Sequence, residues 1–201
     1  SWNKPKDPTI HGKCQFDVTA VLDYINTLNK TSNTPITLTH VVAKMMARLC
    51  DTFPEMNQVM IRRRLYQRKS VRAFIQTHLR TEKGYDLFGV TLEDLQHHAL
   101  PDLATTVKQK AHQLRQQKNT EIERTKWFLN WFSFTMMPWV MTCFDFVLHT
   151  LNIRLTWLGL PKDPFGSFMI TSIGSLGFEE AYIPFSPSSR CGWIVAVGKP
   201  F

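Results

Sequence analysis

The 201-residue chain carries 24 Lys and Arg against 16 Asp and Glu, a formal charge of +8 with pI near 9.5, and 43% of its residues are hydrophobic. That balance fits one globular domain with a full core and argues against a disordered or fibrous chain, while the charge favours anionic partners such as CoA-like phosphates, acidic protein surfaces, anionic lipid or nucleic acid. The four cysteines, Cys14, Cys50, Cys143 and Cys191, are scattered without a C-x-x-C pair, which argues against a disulfide framework or zinc site and for a reducing intracellular compartment.

In chain order, Trp2 to Thr9 is proline-broken and polar and is expected as an extended arm. Cys14 to Val18 is predicted as a short strand. Thr19 to Leu28 has helical spacing at Val21, Leu22, Ile25 and Leu28, and Thr31 to Pro35 forms a loop. Thr39 stands as the expected N-cap of a helix with the stripe Val41, Val42, Met45, Met46 and Leu49, and Pro54 lies beyond its end. The period then changes: Val59 to Ile61, Arg64 to Arg68 and Val71 to Leu79 are predicted strands, with a turn at Gly84 before a further strand over Asp86 to Leu92. Leu100 to Gln117 is an amphipathic helix, and a helical, aromatic-rich segment occupies residues 119–152. Two apolar runs, Phe168 to Ile173 and Trp193 to Val197, flank a Gly/Pro/Ser-rich connection. Strands at both ends with helices between give a single mixed α/β domain over 1–201.

Two stretches invite a binding role. Arg62, Arg63, Arg64, Arg68, Lys69, Arg72 and Arg80 cluster on the predicted hairpin and following strand. They could hold a phosphate, but the expected state is a solvated edge hairpin whose charges discourage edge-to-edge pairing. No helix-turn-helix, zinc-finger or RNP-type motif accompanies them, so nucleic acid is not expected as a partner. The segment Trp127 to His149, WFLNWFSFTMMPWVMTCFDFVLH, has the length of a bilayer span but is interrupted by Asn130, Pro138 and Asp145. A buried or protein-docked helical pair is expected, with contact at a membrane interface second and a span third.

The run DPFGSFMITSIGSLG, the helix-to-turn piece TLTHVVAKMMARLCDTFPEMN with its Pro, apolar, Asn ending, and RRRLYQRKSVRAFIQTHL together resemble the catalytic domain of the 2-oxoacid dehydrogenase acyltransferase (E2) family. The order and spacing of the pieces agree along nearly the whole chain. The resemblance implies a chloramphenicol acetyltransferase-like two-layer sandwich, a mixed β-sheet with helices packed on one face. It also implies acyl transfer from CoA, with a homotrimer as the unit because the family's active channel lies between subunits. Matching ITSIGSLG to the family's I-S-N-L-G places the oxyanion hydroxyl on Thr171, with Ser172 where many members have Asn. The family's general base is the histidine of H-x-x-x-D-G. None of His11, His40, His78, His97, His98, His112 or His149 is followed by that motif, and the chain reaches Phe201 without it. The expectation is therefore a domain truncated at its C-terminus, without a general base, without a cofactor unless CoA binding is retained, and with a structural role in a larger complex. An active acyl-CoA-dependent enzyme whose histidine comes from a partner chain or a further strand is the alternative. No metal site is expected, no stretch of the 201 residues resembles a lipoyl domain, and the resemblance implies a mitochondrial location in a eukaryote.

Overall fold

In the computed structural model, residues 9–61, 64–81, 84–113, 139, 163, 165–184 and 189–201 are described, the side chains of 77–88 excepted. The 119–152 segment, for which docking or membrane contact is expected, falls outside the described residues apart from Trp139. No described helix is long and apolar enough to cross a membrane.

Helix α1 spans Thr19–Asn29. Its start is set by Asp17, whose carboxylate accepts the Thr19 N–H at 2.9 Å and the Thr19 hydroxyl at 2.7 Å. The strand predicted over Cys14 to Val18 does not form. A strand needs a partner to take its backbone hydrogen bonds; this stretch has no regular structure, and Phe16 is 80% exposed. Side chains tether the arm instead: Lys13 pairs with Glu180, and the His11 ring meets Tyr182 edge-on with centroids 5.3 Å apart.

Helix α2 spans Leu38–Thr52. Its N-cap is Thr37 rather than the predicted Thr39, which lies inside the first turn and is buried. Thr37 is extended, and its N–H donates to His40 Nδ1 at 3.0 Å, the reciprocal half of a capping box. A short 3-10 turn, Pro54–Asn57, leads into a two-stranded antiparallel hairpin of β1, Gln58–Ile61, and β2, Arg64–Gln67. Strand β3, Arg72–Thr81, then pairs antiparallel with β4, Gly84–Glu93, in register from Arg72 opposite Glu93 to Thr81 opposite Gly84.

Helix α3 begins at residue 100 and is followed to residue 113. The loop before it is held by Lys44 of α2, whose ammonium donates to the carbonyls of Leu95 at 3.2 Å, Gln96 at 2.8 Å and His98. An ammonium has three protons, so this loop uses all of them. Strands β5, Phe168–Ser172, and β6, Trp193–Val197, complete a mixed sheet in the order β4-β3-β5-β6, with β5 parallel to both neighbours.

The core lies between this sheet and the helices. Ala43 and Ala47, one turn apart on α2, are fully buried, as are Ala73 and Ile75 of β3 and Phe168 and Ile170 of β5. Small residues on the helix let it lie close to the sheet, and Leu103 and Val107 of α3 join the same core. Burying each large apolar side chain here stabilises the fold by roughly 1.5–3 kcal/mol. Because successive strand residues face opposite ways, Phe168 and Ile170 fill the helix-covered face while Met169 and Thr171 face the other.

Candidate functional site

Two buried polar contacts place β5. Asn57, at the end of the 3-10 turn, and Ser167, just before β5, are 4% and 0% exposed. The Ser167 hydroxyl donates to Asn57 Oδ1 and accepts the Arg72 N–H at 3.1 Å, while the Ser167 N–H donates to Arg72 O at 2.7 Å. Asn57 Nδ2 donates to Ser70 O at 3.4 Å. Every one of these groups would cost stability if buried without a partner. Gly166 precedes Ser167 with φ of +69°, and a Cβ there would lie 2.6 Å from Arg72 Cβ, so only glycine fits.

The second contact is ionic. Arg68 Nε donates to Asp163 Oδ2 at 2.8 Å, and the rest of the guanidinium donates to Gln58 O and, at 3.1 Å, to Arg190 O. Its side chain is only 5% exposed. The arginine therefore joins three separated stretches of chain, so it is neither solvated, as expected for this cluster, nor available to a phosphate ligand. Arg72 is also engaged: its Nε is 3.0 Å from Glu93 Oε1 but not aligned for a hydrogen bond. Arg64 and Lys69 are the exposed cations of this cluster among the described residues, and Arg62 and Arg63 fall outside them.

Thr171 sits in the middle of the sheet, opposite Gln76 of β3 and Ala196 of β6, and is 7% exposed. No described residue hydrogen-bonds its hydroxyl. Ser172 points to the opposite face by strand alternation, and its carbonyl accepts the Ser175 hydroxyl at 2.7 Å. The two candidate hydroxyls thus cannot converge on one ligand. Gln76 is the neighbour that sequence reasoning passed over: a lone amide in the apolar run VRAFI-Q, brought level with Thr171 by the β3–β5 register. Beyond β5 the backbone folds tightly, with Ile173 N–H on Val197 O at 3.0 Å and Lys199 N–H on Phe178 O at 3.0 Å. A Cβ on Gly198 would approach Glu179 O to 2.2 Å, which accounts for glycine in the A-V-G ending.

The described histidines lie elsewhere. His40 uses Nδ1 as the acceptor of the α2 cap, which puts the ring proton on Nε2; burial lowers its pKa. His11 packs on Tyr182, while His97 and His112 are exposed. His78 is on β3 with its side chain outside the description, and His149 is outside it altogether. Cys50 and Cys191 are buried, and desolvation first of all pushes both thiols up to about 11, so neither is a thiolate near neutrality. Among the described residues no cluster could hold a metal ion. A cleft of about 500 Å³ lies between the α1–α2 loop and α3, lined by Asn33, Thr34, Thr105, Lys108 and His112, and shares no residue with β5.

No family model and no curated protein matches this chain. Solved structures do. A probable dihydrolipoamide acetyltransferase from Listeria monocytogenes superposes with a TM-score of 0.58 at 14% identity, covering 91% of this chain and 61% of its own. The dihydrolipoamide acetyltransferase of Azotobacter vinelandii, in which a serine, a histidine and an asparagine have been examined for their catalytic roles, gives 0.56 at 16%, covering 91% and 59%. A truncated catalytic core of the 2-oxoacid dehydrogenase multienzyme complex from Thermoplasma acidophilum gives 0.51 at 14%, covering 91% and 65%. The chain thus spans about six-tenths of the length of the structures it matches. Its mixed sheet with helices on one face has the fold of an E2 catalytic core.

Proposed function

We propose that this chain is an E2-fold subunit whose role is structural, built into a larger acyltransferase-like assembly, and that it supplies no general base of its own. The observation that carries this reading is the setting of Thr171. Its hydroxyl is the one the resemblance assigns to the oxyanion, and no described histidine, carboxylate or lysine is bonded to it. An oxyanion donor acts together with a base that removes the attacking proton, and without that base the rate falls about 10²–10⁴-fold. The residues that place the strand, in contrast, are all partnered: buried Asn57, Ser167 and Arg68 and the half-buried Asp163 are held by hydrogen bonds. The multienzyme complex core from Thermoplasma acidophilum, which shares this fold, supports an assembly role; the trimer is what the family resemblance implies for its unit.

One observation favours a second reading, an acyl-CoA-dependent acyltransferase completed by another strand. Among the described strands β6 is at the edge of the sheet, so a further strand bearing the histidine, from this chain or a partner, has a place to pair. Acetyl transfer from acetyl-CoA to dihydrolipoamide by the purified, partner-free chain tests the first reading. A rate equal to buffer is expected, and turnover by the chain alone would sink it. Activity only on adding a second polypeptide would establish the completed enzyme instead.

A further inference from the structure

Among the described residues, the β1–β2 hairpin has one closed edge and one open edge. Arg68 donates to Gln58 O and Arg190 Nη1 donates to Met60 O at 3.0 Å, so both outward carbonyls of β1 are occupied by guanidinium groups. In an antiparallel pair, inward and outward backbone groups alternate. With Gln58 and Met60 directed outward on β1, the register sets their partners Gln67 and Leu65 outward on β2. No described residue hydrogen-bonds the main chain of Leu65 or Gln67, and every residue of β2 is exposed. The open edge is therefore a row of donors and acceptors available to one more strand.

The side chains around that edge define what would pair there. Met60 and Leu65 face each other across the hairpin, 60% and 63% exposed, and Tyr66 is 46% exposed on the other face. Residues 56–81 contain seven Lys and Arg and no Asp or Glu. Of these, Arg64 is exposed at the start of β2 and Lys69 two residues beyond its end. A second copy of the same strand would bring like charges together, which is destabilising for directly opposed strands. A lipid surface would leave the main-chain donors and acceptors of Leu65 and Gln67 without directional partners. We infer that the outer edge of β2 receives an extended, acidic and apolar segment of a partner protein as a third strand. Backbone hydrogen bonds to Leu65 and Gln67 hold it, an aliphatic side chain packs beside Met60 and Leu65, and carboxylates meet Arg64 and Lys69. The inference stands independently of whether the chain catalyses acyl transfer.

Fluorescence anisotropy with a labelled octapeptide of alternating Glu and Val tests it on the full chain. Saturable binding is expected, weakened tenfold or more when alternate peptide amides are N-methylated. Leu65→Pro removes one outward N–H while leaving the inward ladder intact, a place where strands tolerate proline. It should weaken binding by a similar factor with an unchanged circular dichroism spectrum. Equal binding of the N-methylated peptide, or no saturation at millimolar concentration, would overturn the inference. So would displacement of the peptide by phosphatidylglycerol vesicles or heparin with Leu65→Pro binding as tightly as wild type, since charge alone would then suffice.

Discussion

Ser167 donates a hydrogen bond to Asn57 across 110 residues of chain, with both side chains buried. This bond locks the turn after α2 to the entrance of β5, and thereby fixes where Thr171 stands in the sheet. Ser167→Ala strips Asn57 Oδ1 and the Arg72 N–H of their shared partner. Leaving two buried groups unsatisfied should cost roughly 2–4 kcal/mol. Urea unfolding of the two proteins measures it, and a loss under half a kcal/mol would show that water replaces the hydroxyl.

The neighbouring Arg68–Asp163 pair should behave differently from a surface ion pair. Asp163→Ala leaves a buried guanidinium with one partner fewer and should cost about 3 kcal/mol. Arg68→Met together with Asp163→Ala should cost less than the two single changes combined, because the uncompensated charge is gone. A double-mutant cycle by chemical denaturation gives the coupling; strict additivity would contradict the assignment.

Much of this arrangement was legible in the residues. The apolar stripes predict α1 and α2, and the β-branched runs predict β3 and β5, because each period matches a single buried face. The P-E-M-N and D-P-F-G-S pieces stand out in the sequence, but their mutual contact depends on the sheet order, which local pattern does not encode. Arg68 looks like one of seven equivalent cations until the fold buries it beside Asp163. Thr39 and Thr37 are both acceptable caps by composition, and the choice rests on which backbone is extended. Cys14 to Val18 has strand-like residues but no strand beside it. Gln76 gains its interest only from the β3–β5 register.

His40 makes stability depend on pH. Burial lowers its folded-state pKa below the ordinary value of 6.5, so the unfolded chain binds its proton first. The contribution is complete above pH 6.5 and is lost as pH falls from there through the lower folded value. His40→Gln keeps an acceptor for the Thr37 N–H without titrating. The melting temperature of wild type should therefore drop more between pH 7 and pH 5 than that of the variant; parallel curves would remove His40 as the cause.

The cysteines should separate by access. Cys14 is exposed, whereas Cys50 and Cys191 are buried with thiols raised to about 11. Brief iodoacetamide treatment at pH 7.5, read by peptide mass spectrometry, should label Cys14 in the native chain and reach Cys50 and Cys191 only after denaturation. Because both buried pKa values are raised, their stabilising contribution is present below pH 9 and fades as pH rises towards 11. Rapid native labelling of Cys191 would contradict its placement before β6.

On the proposed reading, Thr171 supplies the oxyanion hydroxyl of an E2 fold and no described base serves it. The most direct measurement is acetyl transfer from acetyl-CoA to dihydrolipoamide by wild type, Thr171→Ser and Thr171→Val, each free of partners. All three should proceed at the uncatalysed rate, with Thr171→Val folding as stably as wild type because no described residue bonds the hydroxyl. Turnover by wild type that survives in Thr171→Ser and falls about a hundredfold or more in Thr171→Val would contradict the account and make the chain a working acyltransferase.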